Sequence, residues 1–404
     1  MIFAKMAWRN VWRNRRRSLV TIAATTLALF VMIQYSGLVE GYLIGMERNV
    51  LDLELGDVQV FAPGYRDSPS IYTRVSSPEA VLAALDANGF RSSARLLAAG
   101  LAAAGDTSAG VSLRGLDVAR DAQVSLVSQR VAQGSWLDPA DPSGVVVGRR
   151  LALTLDVHPG SDLVVLTQAA DGSMANETYR VRGVLTGISD GVDQSGVFML
   201  ADAFRRLLVL PDGAQQIIVR RPVTMSLPVA AAKVHQLVPD LDAKTWRELS
   251  PTLASMLDST RGAIMVMFVI VYVVIGILML NATLMAVFER VRELGILKAL
   301  GTGPTGVLRT ILLECAIQTG VAVALAAALS VPALRYLSHH GLDMSSFGGM
   351  SVQGVAWDPI WRASVSARTY SGPIVTLVII VLCAAFYPAV KAAMIRPVDA
   401  IRHH

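Results

Sequence analysis

The sequence predicts an α-helical membrane protein with four transmembrane helices plus a mixed α/β extracytoplasmic domain inserted between helices 1 and 2. Three observations predict it. Hydrophobic residues make up 53% of the 404-residue chain and charged ones 17%, with mean hydropathy +0.49. A soluble globular chain carries about a quarter charged residues. Four apolar runs, Leu19–Val39, Gly262–Phe288, Ile311–Leu334 and Gly372–Val390, are each long enough to cross about 30 Å of hydrocarbon, which takes roughly 20 helical residues. Between the first and second runs lies a long segment of short β-rich pieces, turns and helical pieces.

The elements follow in order. Residues 1–17 read as a cytoplasmic amphipathic N-terminal helix. Ala4, Trp8, Val11 and Trp12 fall on one arc and Lys5, Arg9, Arg13 and Arg16 on the next. That pattern sets tryptophans at headgroup level and cations toward anionic lipid, so Trp8, Trp12, Arg13 and Arg16 are the expected membrane-interface residues. Residues 18–43 are the first span. The run is too long for a signal-peptide core and no A-x-A site follows it, so an uncleaved anchor is expected. Residues 44–258 form the extracytoplasmic domain. GDVQVFAPG, SGVVVGRRLALTL, SDLVVLTQ, ETYRVRGVLTG, GVFML and QQIIVRR are its β-rich pieces. SPEAVLAALDANG, DAFRRLLVL and PVAAAKVHQL are helical, the first starting at Pro78 with Ser76 or Ser77 as N-cap.

The second span covers 259–288. Its apolar run reaches roughly 40 Å at about 1.5 Å per residue, enough to cross with tilt. A cytoplasmic helix and loop take 289–308, the third span 309–335, a short extracytoplasmic loop 336–371, the fourth span 372–390 and a cytoplasmic tail 391–404. Short loops set this orientation, because cations stay on the cytoplasmic side. The head carries Lys5, Arg9, Arg13, Arg15, Arg16 and Arg17 without an acid. The loop after span two carries Arg290, Arg292, Lys298 and Arg309 against Glu289 and Glu293. The tail carries Lys391, Arg396 and Arg402 against Asp399, whereas the 336–371 loop balances Arg362 and Arg368 with Asp343 and Asp358.

No assembled chemistry stands out in the long domain. His158 and His235 have no second ligand at metal spacing, G-x-S-x-G is absent, and the adjacent pairs His339–His340 and His403–His404 make poor chelators. Cys315 and Cys383 lie inside apolar runs and read as buried structural thiols. No metal site, bound cofactor or nucleic-acid surface is expected. Glu314 falls about a turn and a half past Arg309, near the cytoplasmic interface, where it can pair or reach headgroups at far less cost than at mid-bilayer. Asn281 in span two could hydrogen-bond across a helix pair.

The informative stretch is ERVRELGILKALG, Glu289–Gly301. Its charges cluster at the start, and Leu294, Ile296, Leu297, Ala299 and Leu300 spread over several faces. Such a wheel suits a helix seated in a protein cleft, and Gly301, Gly303 and Pro304 end it. This segment resembles the coupling segment of MacB/FtsX-type ABC transporter permeases, the type VII or mechanotransmission class. YPAVKAAMIRPVDAIR, Tyr387–Arg402, resembles that family's closing motif. Together with AWRNVWRNRRRS at the head and GDVQVFAPGY after span one, the chain is most similar to the LolC/LolE lipoprotein-releasing branch.

The resemblance implies a dimer with a second permease copy or paralogue, served by a cytoplasmic ABC ATPase dimer. Glu289, Arg290, Arg292, Glu293, Leu294, Gly295, Leu297, Lys298 and Gly301 would dock the ATPase. Tyr387, Pro388, Arg396, Pro397, Val398 and Ala400 would support that contact. MacB carries its ATPase ahead of span one; this sequence has no G-x-x-x-x-G-K-[ST], and GTGPTG, Gly301–Gly306, is followed by Val307 and Leu308. The expectation is a non-enzymatic subunit of the bacterial inner membrane, both termini cytoplasmic, with ATP and Mg on the partner chain. Membrane lipid and a lipoprotein substrate, periplasmic carrier or adaptor complete the expected partners. An FtsX-type regulator of a cell-wall hydrolase and a MacB-like tripartite efflux permease are the competing readings.

Overall fold

The structure is a computed structural model that describes residues 2–13, 15–300, 302–343 and 360–394. Among these, Gly45–Met256 form an α/β unit, and the residues before and after form a membrane unit. The chain opens with α1 (Ile2–Arg13) and continues in α2 (Arg15–Val50). α1 buries Ala7 and Val11 and exposes Trp8 and Trp12, whose rings meet edge to face at 5.9 Å. Val11 therefore parts from the tryptophans it was expected to accompany: its branched side chain takes the protein side, beside the small Ala7. α2 outlasts the apolar run because nothing before Gly56 stops a helix. Gly56 has φ +64° and its N–H donates to the Leu51 carbonyl at 2.9 Å, closing a wide helical turn, Leu51–Leu55.

In the α/β unit, β1 (Val58–Phe61), α3 (Pro78–Ala87), β2 (Arg91–Ala104), β3 (Thr107–Leu116), α4 (Val118–Asp121) and β4 (Val131–Gly134) come first. Then follow β5 (Gly144–Val147), α5 (Arg149–Leu155), β6 (Asp162–Gln168), β7 (Met174–Leu185), α6 (Asp190–Ser195), β8 (Gly196–Leu200) and α7 (Ala201–Leu208). β9 (Gln216–Arg220), α8 (Leu227–Leu237), β10 (Asp242–Thr245) and α9 (Trp246–Leu249) complete it. β2 pairs with β3, β3 with β8, β8 with β5, β5 with β7, β7 with β6, and β6 with β2, which closes a ring of strands around one apolar core. The first residues of β2 also pair with β9, which runs on through β1 to β10; α3 and α8 supply the second core.

Two sequence expectations change, and a hairpin appears that the sequence reading did not assign. RRLALTL is helix α5, because Leu151, Ala152 and Leu155 share one buried face while Arg149 and Arg150 point out. The Ser77 side chain makes no cap on α3; its backbone carbonyl alone takes the Val81 N–H. Residues 91–116 form the longest hairpin although RSSARLLAAGLAAA is rich in helix-forming alanine and leucine. The signal lay in Gly105–Asp106: this two-residue turn between Ala104 and Thr107 needs positive φ, and Gly105 has +54°. Arg95 is buried at the point where β2 leaves the open run and enters the ring, and pairs with Asp121 at 2.7 Å.

The chain then forms α10 (Pro251–Phe288), α11 (Val291–Ala299), α12 (Pro304–His340), the short pair β11 (Leu342–Asp343) and β12 (Ile360–Trp361), and α13 (Ala367–Met394). Among the described residues four helices, α2, α10, α12 and α13, are long and apolar enough to cross a membrane. They meet around Leu29, Ile33, Tyr272, Ala326 and Leu377. The segment after β12 is strapped onto α2. The Ser364 N–H donates to the Gly37 carbonyl at 2.9 Å, and the Glu40 carboxylate accepts from the Thr369 hydroxyl at 2.6 Å and the Ser366 hydroxyl at 3.1 Å. Gly37 and Gly41 make room: a Cβ on Gly41 would stand 2.0 Å from the Arg362 carbonyl oxygen. Small residues four apart thus admit the backbone of a non-helical segment against a helix, a use of the spacing usually associated with helix pairs.

Gly41→Leu should therefore lower stability by about 1–3 kcal/mol, as overpacking does, and open the 360–366 strap to protease in detergent. Gly45→Leu, where a Cβ meets nothing within 4 Å, is the control. Equal effects of the two changes would show that close backbone approach does not hold the strap.

Candidate coupling site

α11 lies between the end of α10 and the start of α12, and its two faces differ. Val291, Leu294 and Gly295 are buried, at helical spacing i, i+3 and i+4. Leu294, with Leu297 half-buried beside it, packs on Val287, Val307, Ile311, Ala389 and Ala392. Ala389 and Ala392 are fully buried, and their small size lets the end of α13 approach. The opposite face exposes Arg292, Ile296, Ala299 and Leu300, preceded by the exposed Glu289. The helix is two-sided after all. Its apolar residues looked scattered because Ile296 and Leu300 are apolar yet face outward.

Charge fixes α11 in place. The Arg290 guanidinium, just before the helix, donates through Nη1 to both Glu314 oxygens at 2.8 and 3.1 Å and through Nε to Glu293 at 3.2 Å. Arg290 and Glu314 keep only 12% and 14% of their side-chain surface exposed. Glu314 also accepts 2.6 Å from Asn10 Nδ2 on α1. Glu293 accepts from Arg13 Nη2 with both oxygens. Those hydrogen bonds from Arg13, helped by Arg290 and opposed by partial burial, hold the Glu293 carboxyl below the usual glutamate range. At the other end, Lys298 Nζ donates to the Ala393 carbonyl at 2.7 Å, a cation on the last turn of α13. Lys391 stands 5.4 Å over the Phe288 ring. Next to the Arg290–Glu314 pair, Thr21, Thr283, Thr310, Cys315 and Gln318 line a small polar cavity.

This is a rigidly seated, outward-facing helix with no reactive group. Among the described residues no cluster of His, Cys, Asp or Glu could hold a metal. Residues 265–397 match the family described as FtsX-like permease C-terminal. The chain carries an FtsX-like permease domain. A macrolide export ATP-binding/permease protein, MacB, of Neisseria meningitidis serogroup A is 30% identical over 160 residues, 38% of this chain and 22% of the relative. The chain thus spans about a fifth of the length of the MacB relatives it matches. The lipoprotein-releasing system transmembrane protein LolC of Xylella fastidiosa is 21% identical over 305 residues, 72% of each chain. Among solved structures, the periplasmic region of MacB from Actinobacillus actinomycetemcomitans aligns at TM-score 0.36 and 15% identity, covering 50% of this chain and 94% of that one.

Within the permease domain, the structure gathers Arg290, Glu293, Leu294, Gly295, Leu297 and Lys298 on the side of α11 that faces the protein, and Glu289 and Arg292 away from it. Gly301, Arg396, Pro397, Val398 and Ala400 lie outside the described residues. Of the closing motif, Pro388 is buried and Tyr387 exposed. Trp8, Trp12, Arg13 and Arg16 are all exposed, and Arg13 has the further role of holding Glu293. Asn10 is the contributor that composition gave no reason to single out; it sits three residues before Arg13 and so shares its face. Cys315 is half-buried and Cys383 exposed, so the second thiol is not buried: it lies on the outer side of an apolar helix. Asn281 is likewise exposed on α10.

Glu314→Gln leaves Arg290 with half its charge partners in a mostly buried place and should cost about 3 kcal/mol, as breaking a buried pair does. Thermal unfolding in detergent measures it; an unchanged midpoint would mean the pair adds nothing net. The Arg13–Glu293 tie should persist above the ordinary glutamate pKa and loosen only as pH falls through the depressed value. A distance probe between α1 and α11, followed as the pH is lowered from 7, should show no change on passing the unperturbed glutamate value of about 4.3 and separation only below it.

Proposed function

We propose that this chain is the permease subunit of an ABC transporter, in which α11 is the helix that receives a separate cytoplasmic ATPase. The α/β unit, inserted between the first and second spans on the extracytoplasmic side of a bacterial inner membrane, moves in response and helps release lipoproteins or another amphiphilic substrate from the outer leaflet. The observation that carries this reading is the two-faced α11. One face is locked by Leu294, Lys298 and the Arg290–Glu314 pair, and the other presents Arg292, Ile296, Ala299 and Leu300. A push on the outer face would then move α12 and α13 and would not be absorbed by a soft loop. The basic head and loop support the cytoplasmic placement of this end.

An amphiphilic substrate fits the membrane unit's apolar cleft of about 410 Å³, lined by Ser36, Met265, Phe268, Tyr272, Pro373 and others. The longer alignment with the LolC relative, across 72% of this chain, favours release. The higher identity to MacB over 160 residues keeps efflux as the second reading. Docking is tested with Arg292→Glu and Ile296→Asp, changes confined to the outer face. Both variants should insert and melt like the parent but lose at least tenfold in stimulation of the ATPase. Unaltered stimulation would rule out α11 as the docking helix. Purification in mild detergent separates the substrates: a bound lipoprotein or its carrier supports release, and a periplasmic adaptor supports efflux.

A further inference from the structure

α1 and the first turn of α2 carry more than their packing needs. Trp8 and Trp12 stand exposed, with Arg9, Arg13, Arg15 and Arg16, and no acid occurs in the first 17 residues. Such a surface fits an anionic bilayer: aromatic rings at headgroup depth and cations among phosphates. One of these cations is also committed inward. Arg13 grips both oxygens of Glu293 on α11, yet the pair stays half-open, with 53% and 46% of the side-chain surfaces exposed. An exposed ion pair of this kind strengthens an association by no more than about fivefold. A cation at an anionic leaflet gains a similar factor, and here four arginines act together.

We propose that anionic lipid headgroups compete with Glu293 for Arg13, so that the lipid around α1 sets how firmly α11 is held. The arrangement permits the exchange without collapse. When Arg13 turns to a phosphate, Glu293 keeps Arg290 at 3.2 Å. Glu314 keeps Arg290 and Asn10. α1 keeps Ala7 and Val11 buried and the Ser18 hydroxyl bonded to the Val11 carbonyl at 2.7 Å. The lipid therefore releases one strut of α11 and leaves the rest standing. The consequence for transport rests on the reading of α11 as the docking helix, but the exchange itself does not.

The test uses the full chain in nanodiscs of phosphatidylcholine with and without phosphatidylglycerol, read by hydrogen–deuterium exchange over residues 291–299. Exchange should run about fivefold faster in the anionic discs. Arg13→Gln and Glu293→Gln should exchange fast in both and respond to neither, with α12 protected as in the parent to show that the fold is intact. Equal exchange of the parent in the two discs, or a lipid response kept by Arg13→Gln, would overturn the proposal. Inorganic phosphate added to neutral discs at matched ionic strength should change nothing; if it accelerates exchange equally, the lipid source is wrong. ATPase stimulation measured in the same discs separates the two readings: exchange that responds while the ATPase never binds leaves this proposal standing and removes the docking one.

Discussion

Two opposite charges sit where the ends of α10, α11 and α12 converge, and the rest of the site is arranged around them. Arg290 stands before α11 and Glu314 on α12, both largely out of solvent. Neither could stay there alone, because an unpaired charge at a mostly buried place is costly. Together they fix the start of α11, and Asn10 brings α1 to the same carboxylate. The far end of α11 is fixed independently by Lys298 on the last carbonyls of α13. A nine-residue helix held at both ends and packed along one face behaves as part of the helices it touches. Only its outer face is left for something else.

The same logic explains why α11 contains so many charged residues without being a simple surface helix. Some of the charges are internal fasteners and some are display. Glu293, Arg290 and Lys298 belong to the first kind; Arg292 faces outward. A helical wheel cannot tell these apart, since a salt bridge and a solvated charge look alike in a sequence. The strap on α2 makes a similar point at the other end of the membrane unit. Gly37 and Gly41 resemble a helix-dimer motif, but what lies against them is the backbone of 362–364.

In the α/β unit, Gly105–Asp106 and the buried Arg95 matter more than any surface feature. The turn sets the register of the longest hairpin, and its first strand, β2, belongs to both the closed ring and the open run. Arg95, paired with Asp121, marks where β2 passes from one to the other. Closing strands into a ring leaves few free edges, and the open run toward β10 is covered by α3 and α8.

By itself the sequence determined the class of the protein: four apolar runs, the basic head, the interrupted polar segment before Pro304, and in the α/β unit the strands β1 and β5–β9 and the helices α3, α7 and α8. These are local properties, set by hydropathy over one span or by periodicity over one element, so a linear reading recovers them. Tertiary structure alone decided the pairings. Which acid meets Arg290, that Arg13 reaches across to Glu293, that RRLALTL turns helical while the alanine-rich 91–104 becomes a strand, and which apolar residues of α11 face out all depend on groups far apart in the chain. Burial and hydrogen bonding between such groups outweigh the few tenths of a kcal/mol per residue that local propensity contributes.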